Sequence, residues 1–203
     1  MLAAVWWGGI AAASLLVGYA LANRGLSDQV IGIIMGLGAG ALISAIAYEL
    51  VPESAIDSGA MLVAFAMGAL VFFGGDWLID HRGGHKRKDI AGNPPGGSGP
   101  AIFVGTLLDN IPESLILGMG LATGTGVNVA FLAAVFISNL PEGMAGSLNL
   151  RSAGYSRRSI LWLWIALVVV SAACAGVGYA LLHQLPTIDA GPAQAFAAGA
   201  MLT

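Results

Sequence analysis

The sequence predicts an all-α polytopic integral membrane protein, one transmembrane domain over residues 1–203 with six full membrane helices and a partial seventh. Three observations carry that prediction. Hydrophobic residues make up 57% of the chain and charged residues only 9%, a balance that a soluble core of 203 residues does not need. Apolar runs of spanning length recur at 2–21, 30–51, 59–78, 101–123, 127–150 and 160–182. All eight basic residues fall in alternate connections: Arg24 in the first, Arg82, Lys86, Arg87 and Lys88 in the third, and Arg151, Arg157 and Arg158 in the fifth. Short loops rich in Lys and Arg stay cytoplasmic, so the N-terminus is expected outside. The expected location is a plasma membrane of the bacterial inner-membrane kind.

The first run could be mistaken for a secretory signal, since Ala20-Leu21-Ala22 resembles a cleavage site. No Lys or Arg precedes it, its length matches a span, and Trp6 and Trp7 suit an interface, so it is read as a retained helix. Small residues at spacings of four predict close helix approach on the second run (Gly32, Gly36, Gly40), the fourth (Gly120, Gly124) and the sixth (Ala172, Gly176, Ala180). Between the third and fourth runs, residues 81–100 carry Gly-Gly pairs, Asn93-Pro94-Pro95 and Gly96-Gly97-Ser98-Gly99. That composition predicts a flexible cytoplasmic loop. A seventh run begins near Ala190 but has roughly 14 residues before Thr203, too few for a bilayer core of ~30 Å; a re-entrant stub and an incomplete chain are the two alternatives. The net charge of -3 argues against a nucleic-acid partner. Cys174, the single cysteine, is read as a small packing residue.

Chemistry concentrates in two polar phrases inside consecutive apolar runs: Asp109-Asn110-Ile111-Pro112-Glu113-Ser114 and Ser138-Asn139-Leu140-Pro141-Glu142-Gly143. Asp109 and Glu113, four apart, share a helix face, with Asn110 three before Glu113. On the next run Ser138 and Asn139 precede Glu142 by four and three. Pro112 and Pro141 lack an N–H, which frees the carbonyls of Leu108 and Ile137 and bends the helices. A charge at the bilayer centre costs on the order of 2.5 to 3.5 kcal/mol on insertion scales, so two such phrases in succession need something that offsets the cost. Three carboxylates, two amides and a hydroxyl form a hard oxygen set suited to a divalent cation. Protonation of one carboxylate in the empty state offers a route to proton linkage. An isolated Pro is usually a kink and an isolated Asn interhelical glue, but two copies favour a site.

Glu49, Glu53 and Asp57 recur every fourth residue at the external end of the second run. A solvated acidic rim is one reading; a vestibule in which Glu49 and Glu53 attract incoming cations is the other. At the opposite end, His81 and His85, with Asp76, Asp80 and Asp89, are read either as solvated or as a collection point for a departing metal. His183 shows no obvious partner in the sequence.

The two phrases resemble the metal-binding motifs of the ZIP family of divalent-metal transporters. The resemblance implies an eight-helix ZIP-like bundle with an external N-terminus, a loop between helices three and four that often carries histidines, and metal motifs on helices four and five. Typical motifs there read His-Asn-x-Pro-Glu-Gly and end in Pro-Glu-Gly, so Asn110, Glu113 and Glu142 match family ligands. Asp109 stands in place of the usual His, Ser114 in place of Gly, and Ser138 and Asn139 in place of His or Gln and Asp. With nitrogen ligands gone from the core, zinc preference is not simply inherited, and Mn²⁺ or Fe²⁺ fits as well. Residues 195–203 resemble the family's seventh helix and also the phrase Leu37-Gly38-Ala39-Gly40-Ala41-Leu42, which implies a repeat that the chain leaves broken.

The expected function is inward transport of Zn²⁺, Mn²⁺ or Fe²⁺ through a site formed by Asp109, Asn110, Glu113, Ser138, Asn139 and Glu142. The metal is substrate, the partners are metal ions and the lipid bilayer, and no enzyme activity or organic cofactor is expected; a homodimer stays open. Two rivals are a metal-binding sensor or non-transporting truncated relative, and, less favoured, an intramembrane aspartyl protease built on Phe73-Gly74-Gly75-Asp76 with Asp109.

Overall fold

The computed structural model describes residues 1–50, 59–79, 81, 99–124, 126–184 and 190–202. Among these the regular structure is helical, with no strand. Seven α-helices follow in order: α1 (Leu2–Ala22), α2 (Asp28–Ala45), α3 (Gly59–Ile79), α4 (Gly99–Ala122), α5 (Val129–Ser152), α6 (Arg157–Gln184) and α7 (Ala190–Met201). Each coincides within a few residues with an apolar run. A π-helical turn over Ile46–Leu50 extends α2, a local widening that sequence periodicity does not announce. Glu53, His85 and nearly all of the expected flexible loop at 81–100 lie outside the described residues.

Five segments are long and apolar enough to cross a membrane: Leu2–Ala22, Gln29–Glu49, Gly59–Leu78, Val129–Ser152 and Arg157–Gln184. The sixth expected span, α4, has 24 residues and is long enough, but its middle carries the first polar phrase and lowers its apolarity. Large apolar side chains cover the outside of the bundle. Leu2, Ile33, Leu37, Leu62, Leu70 and Val169 are all more than half exposed, as suits a surface solvated by lipid.

Local chemistry fixes the helix ends. Asn128 caps α5, its Oδ1 accepting from the Phe131 amide at 2.9 Å. At the other end of α5 the Gly154 amide donates to Arg151 O (2.9 Å) and the Tyr155 amide to Leu150 O (3.0 Å), with Gly154 at φ 89. This is a Schellman stop, and glycine takes the left-handed position without a Cβ clash. Ser156 then caps α6 by accepting from the Ser159 amide at 3.1 Å.

Helices meet where paired glycines remove side chains from both surfaces. A Cβ on Gly143 of α5 would lie 2.5 Å from Leu15 O of α1, and one on Gly18 of α1 would lie 2.7 Å from Met144 N of α5. The same reciprocal arrangement joins α4 to α6 through Gly118 and Gly178, and α3 to α7 through Gly68 and Gly199. Such contacts let backbones approach within van der Waals reach, the main source of helix association in lipid. The expected seams are met in part. Ala172 and Gly176 of α6 do pack on α1, against Gly8, Gly9 and Val5, whereas a Cβ built on Gly32, Gly36, Gly40, Gly120 or Gly124 would meet nothing within 4 Å among the described residues.

Two apolar clusters form the core. One gathers Ala11, Ile46, Ile116, Leu117, Phe131, Val135 and Ala198; the other gathers Leu15, Leu150, Ile160, Trp164 and Leu167. On α4, Leu107 packs on the second cluster and Ile116 belongs to the first; on α5, Val135 belongs to the first and Leu150 to the second. The polar phrases therefore fill the layer between the two clusters.

Candidate functional site

Depth along the helices brings the two phrases level. Asp109 stands ten residues from the start of α4 and Glu142 ten from the end of α5, each about 15 Å along its axis at 1.5 Å per residue. The chain reverses direction between these helices, so both distances are measured from the same end of the bundle. Glu113 and Ser138 come roughly one turn further in, each by four residues.

At that level a cavity of about 220 Å³ opens between four helices. Asp109, Pro112 and Glu113 line it from α4, Ser138, Pro141 and Glu142 from α5, Gly38, Ala39 and Leu42 from α2, and Ala200 and Met201 from α7. Glu113 is only 5% exposed, while Asp109, Ser138 and Glu142 are half-buried. None of the three carboxylates is isolated, yet Asp109 Oδ2, Glu113 Oε2 and Glu142 Oε1 are buried oxygens that accept no hydrogen bond. The Ser138 hydroxyl donates to Val135 O at 3.0 Å, so towards the cavity it acts as an acceptor. Every polar side chain facing the cavity thus presents oxygen.

The remaining two expected ligands stand elsewhere. Asn110 and Asn139 are each 1% exposed and do not line the cavity. Asn139 Nδ2 donates to Asn110 Oδ1 at 3.2 Å, and Asn110 Nδ2 donates to Thr106 O at 3.1 Å. Helical geometry explains the division: each Asn follows its cavity-facing neighbour, Asp109 or Ser138, by one residue and so is rotated about 100° around the axis. The amides lock α4 to α5 while the carboxylates face the hollow. Pro141 serves the same assembly from a third side, since its ring packs on Gly38 of α2, and the freed Ile137 carbonyl faces the same glycine.

Among the described residues no three His, Cys, Asp or Glu side chains come close enough together to hold a metal ion on their own. The carboxylates surround a hollow without meeting at one point. Water occupies about 30 Å³ per molecule in the liquid, so the hollow has room for several.

The outlying candidates are separate from this cavity. Glu49 Oε2 accepts from Asn128 Nδ2 at 2.7 Å, which ties the π-helical turn to the capping residue of α5. It lines a different cleft of about 340 Å³, with Ser44, Tyr48 and Ile137. His81 is exposed, its ring 4.1 Å from that of Trp77 and its Nδ1 2.9 Å from Trp77 O. His183, for which the sequence offered no partner, stacks on Tyr179 at 5.3 Å. Asp76 does not line the cavity, although α3 passes α4 near enough for Gly75 to lie beside Leu108.

Sequence reasoning missed the contributions of α2 and α7. Gly38, Ala39 and Leu42 on one, and Ala200 and Met201 on the other, belong to the two similar small-residue phrases, so their likeness was a signal of shared location. Compared with models of known protein families the chain matches none, and a search of curated proteins finds no match.

Proposed function

We propose that this protein carries a divalent cation across a membrane, with the cavity among α2, α4, α5 and α7 as the binding station on its path. One observation carries the reading: Asp109, Glu113 and Glu142 converge on a single hollow at mid-depth, between two apolar clusters. Three acids in such a layer repel one another and lose hydration, and a cation relieves both costs. An all-oxygen lining suits Mn²⁺, Fe²⁺ or Zn²⁺ that keeps part of its water shell, consistent with carboxylates that ring the hollow and with its volume. The chain's likeness to ZIP transporters in its two Pro-Glu phrases supports the same reading, as does an all-helical bundle with five helices long and apolar enough to cross a membrane. Asn110 and Asn139 act in this scheme as positioning residues that hold the carboxylate faces towards each other.

The experiment is uptake of radiolabelled Zn²⁺, Mn²⁺ and Fe²⁺ into proteoliposomes, comparing the protein with Glu113→Gln/Glu142→Gln. Uptake that the double substitution abolishes is the expected result, and the ranking of metals follows from it. Saturable metal binding without flux would replace transport by a sensory role; neither binding nor flux would remove the cation altogether. Peptide cleavage lost in Asp76→Asn would instead revive the aspartyl-protease reading.

A further inference from the structure

At the end of the bundle opposite the Glu49 latch, a polar cleft of about 570 Å³ lies where α1 and α5 stop and α6 starts. Asn23, Gly25, Arg151, Ser152 and Arg157 line it, with no acidic side chain among the described residues that do. We propose that this cleft binds the phosphate of an anionic phospholipid headgroup.

The local architecture holds its donors in place. Asn23 Nδ2 donates to Tyr19 O at 2.9 Å, which turns its Oδ1 outward to receive Arg151 Nη1 at 3.3 Å. That contact uses one of five guanidinium N–H groups and fixes the plane of the rest. The Schellman stop at Gly154 sets the end of α5 just beyond Arg151, and the Tyr19 hydroxyl donates to Arg157 O at 3.1 Å, anchoring the start of α6 to α1. Two arginines from different helices therefore border one concavity built from fixed backbone.

Charge placement favours an anion there. Arg151, in the last turn of α5, offsets that helix's dipole, which is ordinary. Arg157 occupies the first turn of α6, with Arg158 beside it, at the positive end of a 28-residue helix where a cation is disfavoured. An anion seated between Arg151 and Arg157 turns both the dipole and the arginines into attraction. Its source follows from depth: α1, with 21 residues, is about 32 Å long, close to the thickness of the hydrocarbon core, so its end stands at headgroup level. Basic clefts between helix ends at that level select anionic lipid headgroups.

Native mass spectrometry of the delipidated protein in detergent, titrated with palmitoyl-oleoyl phosphatidylglycerol or phosphatidylcholine, tests this. Two arginines at an anionic surface correspond to roughly a thirtyfold preference for phosphatidylglycerol. That preference should vanish in Arg151→Gln/Arg157→Gln, persist in Arg151→Lys/Arg157→Lys, and survive Arg158→Gln, whose side chain lies outside the cleft. If the double Gln variant does not fold, Arg157→Gln alone is read, with a partial loss expected. Equal retention of the two lipids, or a preference indifferent to Arg157, overturns the proposal. Displacement of the lipid by millimolar inorganic phosphate overturns the lipid source.

Discussion

Replacing Gly143 by alanine probes the contact that sets Glu142, its neighbour in the chain, against the cavity. The added Cβ would stand 2.5 Å from Leu15 O, 2.7 Å from Leu15 Cα and 3.0 Å from Leu15 C. All three are backbone atoms of α1, so no side chain can swing away. Ordinary contact begins near 3.4 Å, and the shortfall requires α1 and α5 to part by about 0.9 Å. Overpacking of this kind costs ~1–3 kcal/mol, and the better helix propensity of alanine returns ~0.5–1, leaving a net loss of about 1–2 kcal/mol. For a chain of this length that lowers the melting temperature by about 2–8 °C. Tryptophan fluorescence during heating in detergent provides the assay, with Gly36→Ala as control because a Cβ there would meet nothing within 4 Å among the described residues. Gly18→Ala on the opposite surface should destabilise similarly, and the double variant should cost less than the sum, since one retreat of α1 makes room for both methyls. A Gly143→Ala protein as stable as the parent, or a Gly36→Ala protein equally weakened, would refute the packing argument.

Other outcomes are expected from the same structure. Asn139→Leu leaves Asn110 Oδ1 buried without its donor and should cost about 1–3 kcal/mol, whereas Asn110→Leu/Asn139→Leu should cost little more than either single change, a coupling readable in a double-mutant cycle of melting temperatures. Asn128→Ala removes the cap of α5 along with the donor to Glu49, so it should cost about 1 kcal/mol and raise amide exchange at Phe131 and Leu132, while Glu49→Gln keeps an acceptor and should change neither. Trp162 is 59% exposed and Trp164 fully buried, its Nε1 donating to Ser147 Oγ at 2.8 Å. In single-tryptophan variants brominated lipid should quench Trp162 and spare Trp164; equal quenching would show that this face of α6 is not set in lipid.

Helix positions were legible in the sequence where an apolar run ends at residues that stop a helix, as three of them do: Asn23 with Gly25, Gly124 and Gly126, Gly154 with Ser156. The four cavity-lining polar residues were legible too, since Asp109 with Glu113 and Ser138 with Glu142 share the spacing of one helical face. Spacing could not assign Asn110 and Asn139. Each lies near a boundary between faces, and only the crossing of α4 over α5 decides that they meet each other. The glycine contacts were hidden for a different reason. A seam written as Gly32, Gly36 and Gly40 repeats within one helix and catches the eye, whereas Gly18 with Gly143 or Gly68 with Gly199 places one glycine on each helix. No periodicity within a run marks such a pair.

Those pairings also bear on how the protein is made. A ribosome delivers helices to the membrane in sequence order, and the partners in two of the three reciprocal crossings are synthesised far apart. Gly18 waits for Gly143, and Gly68 for Gly199. In the meantime α1 and α3 must reside in lipid as stable single helices, which their apolar composition permits. Only Gly118 and Gly178, on the closely following α4 and α6, can lock soon after insertion. The acidic hollow, which needs α2, α4, α5 and α7 together, is therefore among the last features to form. From about the midpoint of its synthesis onward the chain holds Asp109 and Glu113 in a half-built bundle, so the cost of placing these acids among apolar helices falls on assembly before the hollow exists to receive them.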